Sequence, residues 1–432
     1  MNRRIIAFLT GQSLVDVGGT FSQVAVFWTA LSLTGSAISV GSLGGVWTFS
    51  MAVMSLISGA IVDRFNRKAL MILLDGLLGV VSLTLFALAT TGVLQIWHLW
   101  LFLVAEAVLG IPSGLAYRTL LPDIVDKDIL LRVNGVMSSW GNVDNLVEAA
   151  LAGVIIKLWG PGPIFLINAI TYFLGAVSPL FIWRLVTRAH KPSERWRPFA
   201  DLRFTTRYLS KERLLRKYIL LNLGSGVIFA PLFFMAPLVA KAVGAGSEGY
   251  GFFQSLTIGG LLVGSLLAAT IGARWPKVIV WLGGAALYSI SFIALGFWLS
   301  LPIAFAVFFL FGLGWTGGRV YLGTLVQQVL PSAHRGRIMG ITSFLGGALQ
   351  PLSLSLAMVF VDRTGLGAVL VAVGALNLAM VFLTAWLLPL REKEWTLSTP
   401  EGYLPRRDSR GIPPEGYLPR RDDRPEEQVC GK

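Results

Sequence analysis

Long apolar runs alternate with short charged breaks from residue 5 to residue 390. A helix needs about 20 apolar residues to cross the roughly 30 Å hydrocarbon core of a bilayer. On that measure the runs place spans near 5–33, 38–62, 69–90, 96–120, 133–158 and 161–186, then near 217–243, 248–273, 277–298, 301–325, 337–362 and 366–390. Barrel strands alternate apolar and polar positions, whereas a run such as ILLDGLLGVVSLTLFALA is apolar on all sides. Lipid offers backbone amides no partner, so continuous helices remain. The pattern predicts an all-α membrane protein with twelve transmembrane helices.

Composition agrees: 54% of residues are apolar, 14% are charged and the mean hydropathy is +0.69, against about 25% charged residues in soluble domains. The first apolar run reaches Leu33, past the roughly 7–15 residues of a signal-peptide core, and is read as a retained span. The net charge of +13 is distributed unevenly. Setting aside Arg319 within a span and Lys157, Lys241 and Arg363 on one face, 36 − 1 − 3 = 32 Lys and Arg fall on the other face, with both termini. The positive-inside rule then predicts both termini in the cytoplasm of a bacterial-type cytoplasmic membrane. The same rule and anionic lipid headgroups account for the basicity without nucleic acid. The lone Cys430 and three histidines supply no metal site, and no Walker A loop is present. No cofactor is expected, and no nucleophile–base pair marks an enzyme.

The chain copies itself. Gly35, Lys68, Gly114 and Leu121-Pro122 match Gly244, Lys277, Gly323 and Leu330-Pro331 at an offset of 209; Arg132, Gly135, Ser138 and Gly160 match Arg337, Gly340, Ser343 and Gly365 at 205. Two six-span halves in parallel repeat are an architecture of secondary transporters. The expected organisation is a six-helix bundle over 1–186, a basic cytoplasmic linker over 187–216, a second bundle over 217–390 and a disordered cytoplasmic tail over 391–432. Part of the linker, 198–215, suits an amphipathic surface helix. The tail holds PEGYLPRRD twice, at Pro400–Asp408 and Pro414–Asp422.

Between spans two and three stands Gly59-Ala-Ile-Val-Asp63-Arg64-Phe-Asn66-Arg67-Lys68. It resembles the G-x-x-x-D-R-x-G-R-[RK] loop of the major facilitator superfamily, with Asn66 in the place of a glycine and expected to tolerate a left-handed turn. LPDIVDKDILLRVNG after span four, QQVLPSAHRGRIMGI after span ten and the first span with Asp16 resemble the drug:proton antiporter branch that includes macrolide efflux proteins and enterobactin exporters. The resemblance covers residues 5–390. It implies two pseudo-symmetric six-helix bundles around a cavity opened alternately to each side, with Asp63 and Arg64 latching the cytoplasmic ends. Arg67 and Lys68 need do no more than set orientation. The chain departs from the branch at three places: Glu106 replaces an arginine, Glu148-Ala149 replaces a Gly-Pro pair, and the second-half loop, Gly272-Ala-Arg274-Trp-Pro-Lys277, has lost its acid.

Charges inside a bilayer cost at least about 2.5 kcal/mol on insertion scales and mark function. Asp16, Asp75, Glu106, Asp144 and Glu148 lie in first-half spans; Arg319 lies in span ten. Asp144 and Glu148, at i and i+4, share a face with Trp140, and two close carboxylates in low dielectric do not both ionise cheaply. With Asp16 and Glu106 they are the proton-coupling candidates; Asp75 reads as a structural partner near the cytoplasmic face. Thr20, Gln23 and Phe27 stripe with Asp16, and Tyr117 with Glu106. Trp315 stripes with Arg319, which could pair with Glu106 or Asp16. These residues and Trp140 are the cavity candidates, joined by Trp28, Trp47, Phe229, Phe233 and Phe234. Glycine runs 41–45 and 259–264 suit close helix packing. The expected function is proton-coupled antiport by a monomer that expels an amphipathic drug-like compound or siderophore and so confers drug resistance. The alternatives are an uncoupled lipid or nutrient porter of the same fold, or a transport-dead sensor or scaffold.

Overall fold

The computed structural model describes residues 3–184, 213–271, 277–317 and 335–387, which are helical apart from short turns between the helices. The helices are α1 (Arg3–Thr34), α2 (Ala37–Arg64), α3 (Arg67–Thr90), α4 (Ile96–Ile124), α5 (Lys127–Trp159) and α6 (Gly162–Phe181). Then follow α7 (Arg213–Phe234), which breaks at Met235 and resumes over Ala236–Ala242, α8 (Gly246–Ile271), α9 (Lys277–Phe297), α10 (Leu301–Gly317), α11 (Arg335–Thr364) and α12 (Leu366–Leu387). The linker, the tail, Arg319 and the second-half loop motif lie outside the described residues, apart from Lys277 at the start of α9 and Arg213–Arg216, which open α7 within the expected linker.

Ten of these helices are long and apolar enough to cross a membrane. The two exceptions have plain causes. The described part of α10 is 17 residues long. α5 starts six residues before the expected 133 and carries Arg132, Asp144, Glu148 and Lys157 in one helix, so its mean hydropathy is low. α4 contains a π turn over Glu106–Gly110. Pro112 follows it; lacking an N–H, it cannot donate to the carbonyl four residues back, and the ladder slips by one residue there.

The repeat is visible in the backbone. Gly35 and Gly244 have φ of 69° and 71°, and Gly160 and Gly365 have 76° and 91°, a region closed to most side chains. These glycines end α1, α7, α5 and α11, which all run the same way, so the four turns share one end of the molecule, here the glycine-turn end. The Asp63 turn marks the other.

Within the first six helices α3 and α1 pack on α6, and within the last six α9 packs on α12 and α8 on α10. Two helix pairs join the halves: α2 with α11, and α5 with α8. Both seams are lined by glycine. A Cβ on Gly44 would stand 2.6 Å from Leu354 and 2.9 Å from Phe234; one on Gly153 would meet the backbone of Ser247 and stand 2.9 Å from Glu248 Cα. Glycines 260 and 264 do the same between α8 and α10, as the glycine runs implied. Ser255 Oγ donates to Leu146 O at 2.6 Å across the α5/α8 seam. Gly153→Val must therefore push α5 from α8. Oxidative cross-linking of Leu146→Cys to Ser255→Cys is expected to be efficient in the parent and to fall severalfold with Gly153→Val.

Candidate functional site

Among the described residues, the contacts between halves lie at one end. On α2 they run from Ser36 to Ala52, and on α5 from Leu146 to Lys157. α1 joins them through Phe27, whose ring lies 5.3 Å from Phe234, and Trp28, stacked 6.3 Å from Tyr250. Gln23 and Phe27 line a seam with Phe233, Phe234, Pro237, Tyr250 and Gln254 that is too narrow to hold a ligand. Trp47 meets Phe234 at 6.2 Å. Behind them Trp315 lies 5.4 Å from Phe229, 5.9 Å from Phe233 and 6.2 Å from Phe311. The expected cavity aromatics thus form a plug across the middle of the molecule, and Phe27, only 2% exposed, belongs to it rather than to an open wall.

Beyond the plug the glycine-turn end is closed by polar ties. The carboxylate of Asp362, near the end of α11, accepts from Ser36 Oγ at 2.7 Å, Ala37 N at 3.0 Å and Ile38 N at 3.4 Å. It caps the start of α2, where unpaired N–H groups and the helix dipole favour an anion. Lys157 and Glu248 pair at 2.7 Å, and Lys241 Nζ donates to Gly35 O at 3.4 Å. Sequence reading missed Asp362, although a signal was present: Val62-Asp63-Arg64 at the end of α2 reappears as Val361-Asp362-Arg363 at the end of α11.

At the other end the loop motif is built into the first six helices. Asn66 has φ of −65° and caps α3, its Oδ1 accepting from Lys68 N at 3.0 Å and Ala69 N at 3.3 Å. This corrects the expected left-handed turn; the substituted residue serves as a cap instead. Arg67 and Lys68 do more than set orientation. Arg67 pairs with Asp123 at 2.9 Å and donates to Thr119 O, tying α3 to the end of α4. Lys68, 6% exposed, donates to Ile182 O at 2.9 Å and Trp183 O at 3.2 Å, satisfying carbonyls just past α6. Arg64 is exposed and Asp63 half-buried; no described atom comes within 4 Å of a Cβ built on Gly59.

The intramembrane acids fall into two groups. Asp16 is exposed midway along α1, within electrostatic range of Arg118 of α4 and Asp144 of α5. Thr20 Oγ1 donates to Asn145 Oδ1, fastening α1 to α5 beside it. Asp144 and Glu148 interact with one another. Glu148 is 3% exposed, and neither of its oxygens meets a well-aligned hydrogen-bond partner among the described residues; nor does Asp144 Oδ2. Arg118, missed because it lies close to the expected end of span four, is a cation facing this group.

The second group is interior to the first six helices. Asp75, 1% exposed, accepts from Ser113 Oγ at 2.5 Å, and its Oδ2 meets no well-aligned hydrogen-bond partner among the described residues, with Gln12 nearby. Asp75 is held by Ser113 as a structural partner would be, and its burial places it inside the bundle. Glu106, re-aimed by the π turn, acts with Asp75 on the buried Tyr172. Tyr117 packs its ring 5.8 Å from Phe8. Trp140 is 56% exposed and lies in an outer groove with Arg132, one helical turn from Asp144. Arg319 lies outside the described residues, as does any pairing it makes.

A profile of the Major Facilitator Superfamily matches residues 8–354, and the chain belongs to that family. It is a multi-pass membrane transporter of the major facilitator fold. It is 25% identical over 391 residues to the multidrug efflux pump Tap of Mycobacterium tuberculosis, covering 88% of this chain and 92% of that one. It is 24% identical to macrolide efflux protein A of Streptococcus pyogenes (82% and 88% covered) and 22% identical to the staphyloferrin A transporter of Staphylococcus aureus (83% and 90%). Among solved structures, nucleoside transporter NupG superposes with a TM-score of 0.69 at 13% identity, covering 89% and 99% of the two chains. An inward-facing bacterial homologue of the lysosomal transporter Spinster superposes at 0.68 and 15%, covering 92% and 100%.

Asp362 stabilises closure of the glycine-turn end, and one capping carboxylate contributes about 1 kcal/mol. Asp362→Ala is expected to raise maleimide labelling of Val40→Cys, a buried position on α2, about fivefold, the equilibrium equivalent of that energy. Lys157→Ala, which removes an exposed ion pair worth at most about 1 kcal/mol, is expected to change the same rate less.

Proposed function

We propose that this transporter exports an amphipathic, drug-like or siderophore-type small molecule in exchange for protons, by alternating access across a bacterial-type cytoplasmic membrane. The observation that carries the reading is the asymmetry of the seam. One end is sealed by glycine contacts, an aromatic plug and the Asp362 cap, while Asp16 and Asp144 lie on the Asp63 side of the plug and Glu148 at the start of the closed seam. The excess of Arg and Lys on the Asp63 side makes that side cytoplasmic, with both termini.

The reciprocal state follows from the repeat. The end of α11 caps the start of α2 while the outer face is shut. When the halves rock, the end of α2, through Asp63, takes the equivalent place at the start of α11. A ligand or proton shifts such an equilibrium only by binding the two states differently. Two carboxyls that face one another in low dielectric meet that requirement, because outward opening exposes them to a different proton supply. Efflux as the direction, and the substrate class, draw on the named relatives, which pump multiple drugs and macrolides or transport a siderophore.

The test is a proteoliposome assay with an imposed pH gradient and a panel of lipophilic dyes, macrolides and siderophores. Substrate-dependent proton movement is expected. Asp144→Asn with Glu148→Gln is expected to cut gradient-driven uptake roughly tenfold or more, a barrier change of about 1.4 kcal/mol, while substrate counterflow without a gradient persists. An unchanged gradient response in the double variant contradicts proton coupling and favours an uncoupled porter of the same fold.

A further inference from the structure

A second site lies on the outside of the first six helices. Ile6, Leu9, Thr10, Ser13 and Leu14 of α1 and Ile129, Arg132, Val133, Val136, Met137 and Trp140 of α5 enclose a groove of about 580 Å³. Its wall on α5 continues a stripe at 136, 140, 143, 147 and 151, where Val136, Trp140, Val143, Val147 and Leu151 are 46–61% exposed. The other side of α5, at Leu146, Ala149 and Gly153, packs on α8. The stripe runs on past the plug, alongside the part of α5 where the halves are closed, so it faces lipid and not the transport cavity.

The groove is apolar except near its Asp63 end. Ser13 turns its hydroxyl back to Leu9 O at 3.0 Å and so makes no demand on an occupant. Arg132 is exposed. From Arg132 to Trp140 the helix rises about 12 Å at 1.5 Å per residue, most of the depth of one leaflet's hydrocarbon. A guanidinium at the headgroup level above an apolar slot of that depth is complementary to a single-chain-wide anionic amphiphile.

We propose that this groove is a specific site for one anionic phospholipid of the cytoplasmic leaflet, with an acyl chain between α1 and α5 and its phosphate on Arg132. The choice of leaflet rests on the orientation given under Proposed function; occupancy of the groove does not. Bound lipid there bridges α1 to α5, the two helices that carry Asp16 and Asp144, and so bears on the same equilibrium as the coupling acids.

The experiment reads lipid retention rather than transport, which keeps its failure separate from that of the transport reading. Full-length protein is equilibrated with mixed micelles of phosphatidylglycerol and phosphatidylcholine of matched chains, and retained lipid is counted by native mass spectrometry. The parent is expected to retain one phosphatidylglycerol in preference to phosphatidylcholine. Arg132→Ala is expected to reduce that preference about fivefold, the contribution of one basic residue at an anionic surface, and Arg132→Lys to restore most of it. Thr10→Trp, which fills the slot, is expected to lose the retained lipid altogether. Equal retention of the two lipids by the parent, an unchanged preference in Arg132→Ala, or displacement of the lipid by a transported dye overturns the proposal.

Discussion

Two helix pairs approach to backbone contact at one end of this molecule. Side chains larger than hydrogen at Gly44 and Gly153 would hold α2 from α11 and α5 from α8. In lipid there is little hydrophobic gain in bringing helices together, so such packing, and the polar ties it permits, decide whether the halves meet. Once that seam closes, the aromatic plug of Phe27, Trp47, Phe233, Phe234 and Trp315 is set, and Asp362 reaches the start of α2. The individual ties are weak; an exposed pair such as Lys157–Glu248 is worth at most about 1 kcal/mol. That is suited to a seam that must open in every cycle.

The acids are where the electrostatic cost lies. A carboxyl in hydrocarbon without a partner is retained against a penalty of several kcal/mol. Here the cost is divided between a group on α1 and α5, within range of Arg118, and an interior pair on α3 and α4 around Tyr172. The first group sits on helices that border the seam, so its state of charge and the closure of the seam act on the same bodies. The second is enclosed in the first six helices, tied through Ser113, and answers to their internal packing instead.

The helices were legible because lipid leaves the backbone few choices, and charged breaks at one end of the spans and short glycine or polar turns at the other mark their limits. The repeated glycines were legible too, and Gly35, Gly244, Gly160 and Gly365 share the conformation that their matching implied. What the sequence did not yield was rotation and partnership. The π turn ahead of Pro112 shifts Glu106 out of the stripe that helical spacing assigned it. Trp140, one turn from Asp144, lines an outer groove with α1 that helical spacing alone did not show. Asn66 proved a cap and not a turn, and Arg67 and Lys68 bind groups on α4 and beyond α6 that lie more than fifty and a hundred residues away. Asp362 needed the comparison of α2 with α11, an inverted relation that a search for parallel repeats passes over.

The central claim is that the two ends of the molecule open in turn. It is tested most directly by spin-label distances at both ends in one preparation: Phe65→Cys with Thr270→Cys at the Asp63 end, and Leu33→Cys with Trp298→Cys at the glycine-turn end, all exposed positions. On changing pH with substrate present, the account predicts that the first distance shortens as the second lengthens. Two distances that move together, or a glycine-turn end that stays shut under every condition, would contradict it.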